Sequence, residues 1–162
     1  MAHDSVQVLR IGLRQVEVAE YVREDPDLWG AALLAPLAPA QREALLAGAR
    51  ARVAGSDEPL LPARPADALH LILGGAVALA TCDGAGLTTL GKGDFFGLSS
   101  VLPGATPLAA TADHGGARLA VLPGDVARRL AAEVPGFLRV LEDAARRREE
   151  LARACDDFLG RF

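Results

Sequence analysis

The chain of 162 residues predicts an α+β fold, an antiparallel β-roll or jelly-roll-like barrel flanked by N-terminal helices and a long C-terminal helix. Three observations carry this. Short apolar runs punctuated by glycine turns recur from Pro65 to Leu122, as expected for many short strands. Before them, proline-broken and helical patterns alternate, and after them a seam of apolar side chains recurs in steps of four and three. The reading divides the chain into an N-terminal helical extension, 1–32, a roll with its flanking helices, 33–134, and a C-terminal helix, 135–162.

Residues 5–23 place Val6, Leu9, Leu13 and Val16 on one stripe and Val8, Ile11, Val18 and Val22 on a neighbouring one. The spacing predicts a helix that covers the core, while the alternation of Val6 with Val8 and of Leu9, Ile11 and Leu13 leaves a strand open. The segment DPDLWGAALLAPLAPAQ is interrupted by Pro26, Pro36 and Pro39 and predicts short helical pieces, with Trp29 as a core or interface plug. Pro39 suits a first helical turn, and QREALLAGARARV reads as a helix with Leu45, Leu46, Ala49 and Val53 on one side.

The stretch GSDEPLLPARP holds Pro59 and Pro62, which leaves strand pairing there in doubt. Leu69, Leu71 and Leu73 then alternate with His70 and Ile72, and Gly74 and Gly75 are read as a turn into Val77 and Leu79. Asp83, Gly84 and Gly86 make the next hairpin turn. Further on, Ala110–Ala112 and Arg118–Leu122 read as a returning pair of strands joined at DHGG, giving an eight-stranded roll or a reduced version of it.

Between these strands lies GLTTLGKGDFFGLSSVLPGATPLAAT, from Gly86 to Thr111. Gly91, Gly93 and Asp94 make a tight turn, an aromatic pair follows, and Gly97 opens about one turn of helix through Ser99 and Ser100. Backbone N–H groups at such a turn point at one spot and suit an anion.

G-x-G-D-F-F-G followed by P-x-A-A-T resembles the phosphate-binding cassette of cyclic-nucleotide-binding domains. The resemblance extends back through PADALHLILGGAVAL and forward to LAVLPGDVARRL, over roughly residues 33–160. It implies a ligand pocket at Gly97, Leu98, Ser99, Ser100, Leu108, Ala109, Ala110 and Thr111. It also marks a departure: the family's ribose-binding glutamate and phosphate-binding arginine fall at Leu98 and Leu108. A buried phosphate without its arginine loses about 2 to 5 kcal/mol and the sugar contact about 1 to 3 more, so affinity for cyclic AMP or cyclic GMP falls by about a thousandfold or further. The expectation is a degenerate cassette that binds neither in the ordinary way. Either both leucines pack as extra core, or a changed ligand is held by the Gly97–Ser100 amides, the hydroxyls of Ser99, Ser100 and Thr111, and an apolar wall. Whether Lys92 or Arg118 swings in for the absent arginine stays open.

LPGDVARRLAAEV predicts a helix stopped by Pro135, with a long helix after it. There Phe137, Leu141, Ala144, Arg148, Leu151, Cys155, Phe158 and Phe162 form a seam of average step 3.5, the pattern of a helix packed along another. The resemblance implies a helix that dimerises some members and lids the pocket in others. A homodimer through Phe137 to Phe162 is the reading, with docking on the chain's own roll as the alternative.

Composition bounds the rest. Apolar residues make up 51% and aromatics 4%, so the core is aliphatic; the net charge of −4 gives no basic footprint for nucleic acid. No helix-turn-helix pattern follows the cassette, so DNA is not an expected partner. Cys82 and Cys155 form no disulfide framework, the start is no signal peptide, and there is no 18-residue apolar stretch, which together predict a cytoplasmic protein without membrane insertion. His3, His70 and His114 share no metal-ligand spacing, and His70 is expected to be a hydrogen-bonded structural residue. No cofactor, metal or catalytic residue is indicated, and no nucleophile elbow or phosphate loop is present. The sequence thus predicts a non-enzymatic regulatory domain that acts by protein interaction, or alternatively a small-molecule or cyclic-nucleotide sensor with a non-canonical pocket.

Overall fold

The computed structural model describes residues 8–11, 14–61 and 68–159. Strands β1 (Val8–Ile11) and β2 (Arg14–Glu17) pair antiparallel, with Leu9 opposite Val16. The helix expected over 5–23 therefore begins only at Val18: α1 spans Val18–Glu24. Val8, Ile11 and Val16 are β-branched, and side chains of that kind favour the extended backbone that their alternation also permits. Residues 5–7 and 12–13 of that reading lie outside the described residues.

The proline-broken segment gives one short helix, α2 (Pro26–Trp29), capped by Asp25, whose carboxylate accepts from the N–H groups of Asp27 and Leu28 at 3.0 and 3.3 Å. A run of turns follows, and Arg42 satisfies the carbonyls that such turns leave unpaired. Its guanidinium donates to Leu37, Trp29 and Ala35 at 2.9, 3.1 and 3.2 Å and lies 5.0 Å over the Trp29 ring. Trp29 is partly buried against the core, as a plug should be.

Helix α3 (Pro39–Ala47) starts on its proline, but it does not reach Val53 as expected. Gly48 ends it, β3 (Arg50–Ala54) follows, and Val53 is 72% exposed on this strand. β4 (Pro59–Leu61) pairs with β8 despite its proline, through an irregular register. β5 (Ala68–Ala80), β6 (Gly86–Leu90), β7 (Phe95–Phe96) and β8 (Ala109–Pro123) complete an open sheet of 6 strands in the order β3-β8-β5-β6, with β4 on β8 and β7 on β5. The roll is thus the reduced version rather than one of eight strands.

Both glycine pairs read as turns prove to be bends inside continuous strands. β5 runs for 13 residues through Gly74 and Gly75, and β8 for 15 residues through Gly115 and Gly116, with register shifts where they cross. Gly75 and Gly116 hold φ of 77° and 76°, and a Cβ on Gly75 would stand 2.3 Å from the Gly116 carbonyl oxygen. Only a residue without a side chain lets the strands approach so closely.

The sheet has a buried side on each face. Leu69, Leu71, Leu73, Phe95 and Leu122 pack beneath Val22, Leu45 and Leu46 and beneath the last two helices, α4 (Gly124–Glu133) and α5 (Pro135–Leu159). Ile72, Val77, Leu79, Phe96 and Leu119 fill the inside of the roll. The adjacent Phe95 and Phe96 therefore join opposite clusters, as alternating side chains on a strand must.

Candidate functional site

The turn before the cassette is fixed on both sides. Ile72 exchanges backbone hydrogen bonds with it, donating to Asp94 at 2.9 Å and accepting from Gly93 at 2.8 Å, while the Asp94 carboxylate accepts from the Gly91 N–H at 2.9 Å. Lys92 points away from the cassette and pairs with Asp25 at 2.7 Å; this contact, above all, holds the Asp25 carboxyl below its usual range and raises the Lys92 ammonium. Arg118 lies at the far bend of the strands, where its guanidinium covers Gly74. Neither residue takes the place of the cassette arginine.

Gly97 follows at φ 90°, and Leu98–Ser100 form a 3-10 turn. A Cβ on Gly97 would stand 2.8 Å from the Ala68 carbonyl oxygen and 3.2 Å from His70 Nδ1. The turn does not leave every amide free as the sequence suggests: Ser100 N–H donates to the Gly97 carbonyl at 3.1 Å. Ser100 in turn accepts from Arg128 of α4 at 2.9 Å through its carbonyl.

A slot lies between this turn and α5. Of the residues predicted to bind a ligand, Gly97, Leu98, Ser99 and Leu108 line it, joined by Leu61, Leu79 and Phe96. Ser100, Ala109, Ala110 and Thr111 do not: Ala110 is fully buried inside the roll and Thr111 is paired within the sheet, opposite Pro59 and Ala78. Leu98 is 6% exposed and packs with the helical cluster, whereas Leu108 is half-buried against the inside of the roll. The two leucines face one slot from separate clusters. Its volume is about 20 Å³, room for about one water.

The outer wall is α5. From Phe137 through Leu141 to Ala144 the seam is buried against the chain's own domain, so the intramolecular docking left open beside a homodimer is what this half of the helix does. Arg148, next along the seam, lines the slot beside Ala145 and Glu149; it donates to the Phe95 carbonyl and lies 5.4 Å from the centre of that ring. Burial, the largest influence, lowers its guanidinium to about 10; the neighbouring Asp94 opposes this and Arg147 adds to it. Further out, Leu151 is 41% exposed and the Cys155 thiol rests 3.7 Å from the Gly86 carbonyl. The Phe158 side chain and Phe162 lie outside the described residues.

Behind the slot, His70 departs from expectation. It is 3% exposed and stacks on Phe96 at 4.7 Å with an interplanar angle of 6°, yet its Nδ1 has no hydrogen-bond partner. Burial, with a smaller contribution from the Arg52 charge, lowers it to about 4, so the ring is neutral near pH 7.

Arg148 is the site residue whose part the sequence reading missed. Its signal was present, a charge on an otherwise apolar seam, but the seam alone does not name the surface it meets. Among the described residues no cluster of three histidine, cysteine or carboxylate side chains is arranged to hold a metal ion, and no helix is long and apolar enough to cross a membrane.

No protein-family profile and no curated protein matches the chain. Solved structures do. A protein from Geobacter metallireducens assigned to cyclic-nucleotide binding is similar at a TM-score of 0.61 and 20% identity, over 81% of this chain and 98% of that one. The catabolite activator protein of Thermus thermophilus is similar at 0.59 and 24%, over 80% of this chain and 63% of that one. The regulatory subunit of a cAMP-independent protein kinase A from Trypanosoma brucei is similar at 0.63 and 17%, over 83% of this chain and 47% of that one.

Proposed function

From the fold it shares with cyclic-nucleotide-binding domains, we propose that this chain is a non-enzymatic regulatory module that does not take cyclic AMP or cyclic GMP in the ordinary way and acts through protein contacts in the cytoplasm. The observation that carries the reading is the slot: it holds about 20 Å³ where pockets for small ligands usually offer about 300 Å³ or more. Leu98 and Leu108 face it at the positions where the resembling cassette has its glutamate and arginine. Among the solved neighbours is the regulatory subunit of a protein kinase A that is described as cAMP-independent.

In this reading residues 33–134 form the regulatory unit, 1–32 extend it and 135–162 are its output arm. The arm's outer part, from the exposed Leu151 onward, is the portion left for pairing with a second copy, since Phe137, Leu141 and Ala144 are already covered. The free thiols of Cys82 and Cys155 agree with a reducing compartment.

The test is calorimetric titration with cyclic AMP, cyclic GMP and cyclic di-GMP, for the natural chain and for a Leu98→Glu, Leu108→Arg double variant. The reading expects silence from the natural chain and regained binding in the variant. Micromolar binding by the natural chain overturns it.

A further inference from the structure

We propose that Cys82 and Cys155 form a reversible intramolecular disulfide, made by hydrogen peroxide, that clamps the outer half of α5 onto the hairpin between β5 and β6. This goes beyond the regulatory reading and does not depend on it.

The chain's two cysteines are far apart in sequence, and the fold brings both to one hairpin. Cys82 lies in the turn of that hairpin, where its thiol donates to the Pro107 carbonyl at 3.3 Å. Cys155 lies on α5, and its thiol sits 3.7 Å from the carbonyl of Gly86, the first residue of β6. Ala80 ties the two places together, since it pairs with Gly86 on one side and with Ala109, two residues after Pro107, on the other. With strands about 5 Å apart, the two thiols bracket a row about 10 Å wide. A disulfide needs Cα atoms about 4 to 7 Å apart, so closing the bridge takes a shift of one wall towards the other.

The helix is the wall that moves. α5 is buried at Phe137, Leu141 and Ala144, but from Ala145 to Asp157 no residue is buried. A segment without buried side chains lies at the low-stability end of a fold. The hairpin is the fixed wall: the Thr81 N–H donates to the Ala85 carbonyl at 2.8 Å, and the Ala85 N–H donates to the Thr81 hydroxyl at 3.0 Å. Moving the helix breaks no strand pairing.

Both thiols are free; Cys82 is exposed and Cys155 is half-buried. The Cys82 thiolate attacks one oxygen of hydrogen peroxide, hydroxide leaves, and a sulfenic acid forms. The Cys155 sulfur then attacks the Cys82 sulfur, the S–S bond forms, and the sulfenic oxygen leaves as water. In sum, two thiols give up two protons and two electrons, and one peroxide becomes two waters. Asp83, Asp156 and Asp157 flank the cysteines, so an uncharged oxidant approaches more readily than an anionic one such as oxidised glutathione. An exposed bridge that draws a helix from its resting place is of the kind that dithiol reductants reopen.

The experiment treats the full natural chain, at low concentration, with a small excess of hydrogen peroxide, beside Cys82→Ser and Cys155→Ser. Non-reducing peptide mapping and amide hydrogen exchange are the readouts. Expected are a monomer holding a linked Cys82–Cys155 peptide and exchange at residues 149–157 slowed by about 10-fold or more. Dithiothreitol should reverse both, and neither should occur in either variant. A dimer bridged between two copies, sulfinic acid on Cys82 with Cys155 still free, a linked peptide with unchanged exchange, or no bridge at all overturns the proposal. Should a serine variant loosen the fold, the linked peptide and the exchange of the natural chain decide alone.

Discussion

Arg148 on α5 donates to the backbone carbonyl of Phe95, 53 residues earlier, and covers the ring of the same residue. The contact joins the outer half of the C-terminal helix to β7, at the one charged position of the seam.

Removing it should loosen that half alone. Arg148→Ala gives up a charged hydrogen bond and a cation–π contact, together about 1 to 2 kcal/mol after solvent screening. Amide hydrogen exchange at residues 149–157 should accelerate by about 10-fold, while Phe137–Ala144 stay protected. Uniform acceleration along all of α5 would mean that the helix opens as one unit.

Phe137 anchors the inner half. It is 0% exposed within the helical cluster, so Phe137→Ala should cost about 3 to 5 kcal/mol and lower the denaturant midpoint without changing the slope. A loss below about 1 kcal/mol would show that α5 contributes little to the folded domain.

Gly97 tolerates no side chain. With φ at 90° and a carbonyl oxygen 2.8 Å from where a Cβ would stand, Gly97→Ala should destabilise by about 2 to 3 kcal/mol. Gly84, also at positive φ but with open space around it, makes the matched control, and Gly84→Ala should cost about 1 kcal/mol. Equal losses would place the whole effect in backbone conformation and none in the close approach to Ala68.

His70 should make the domain acid-sensitive. Its folded pKa is lowered to about 4 from an ordinary 6.5, so between these values the unfolded chain binds more protons than the folded one. Stability contributed by the neutral ring is intact above about pH 6.5 and is lost as pH falls towards about 4, amounting to about 2 kcal/mol between pH 7 and pH 5. His70→Leu should flatten that part of the stability profile, as read by urea melts at both pH values. An unchanged profile would mean that water reaches the ring.

Much of this architecture is legible in the sequence, and the failures share a cause. The alternation of Leu69, Leu71 and Leu73, the hairpin at Asp83–Gly86 and the cassette turn at Gly97 are local patterns with one structural solution each, and all are present. Gly74–Gly75 and Gly115–Gly116 are not of that kind. A glycine pair supports a reversal or a bend, and which one forms depends on the strand alongside. Val53 continues a helical spacing but stands on a strand, since Gly48 has already ended the helix and β8 offers a partner. At the site, Gly97, Leu98, Ser99 and Leu108 come from one cassette and are found together, whereas Arg148 is brought in by a helix that the cassette does not specify. An apolar seam tells that a helix packs, not against what.

β8 is paired with β3, β4 and β5 at once, and every one of those partners precedes it in the chain. During synthesis, therefore, the sheet has no centre until Pro123 has left the ribosome. Until then β5 offers Leu69, Ile72 and Leu79 along an open hydrogen-bonding edge, the condition in which chains associate with one another instead of folding. The folding rate follows from the same connectivity: closing such distant pairings sets a slow, topology-limited step, and the nascent chain has most need of chaperones in the interval between β5 and β8.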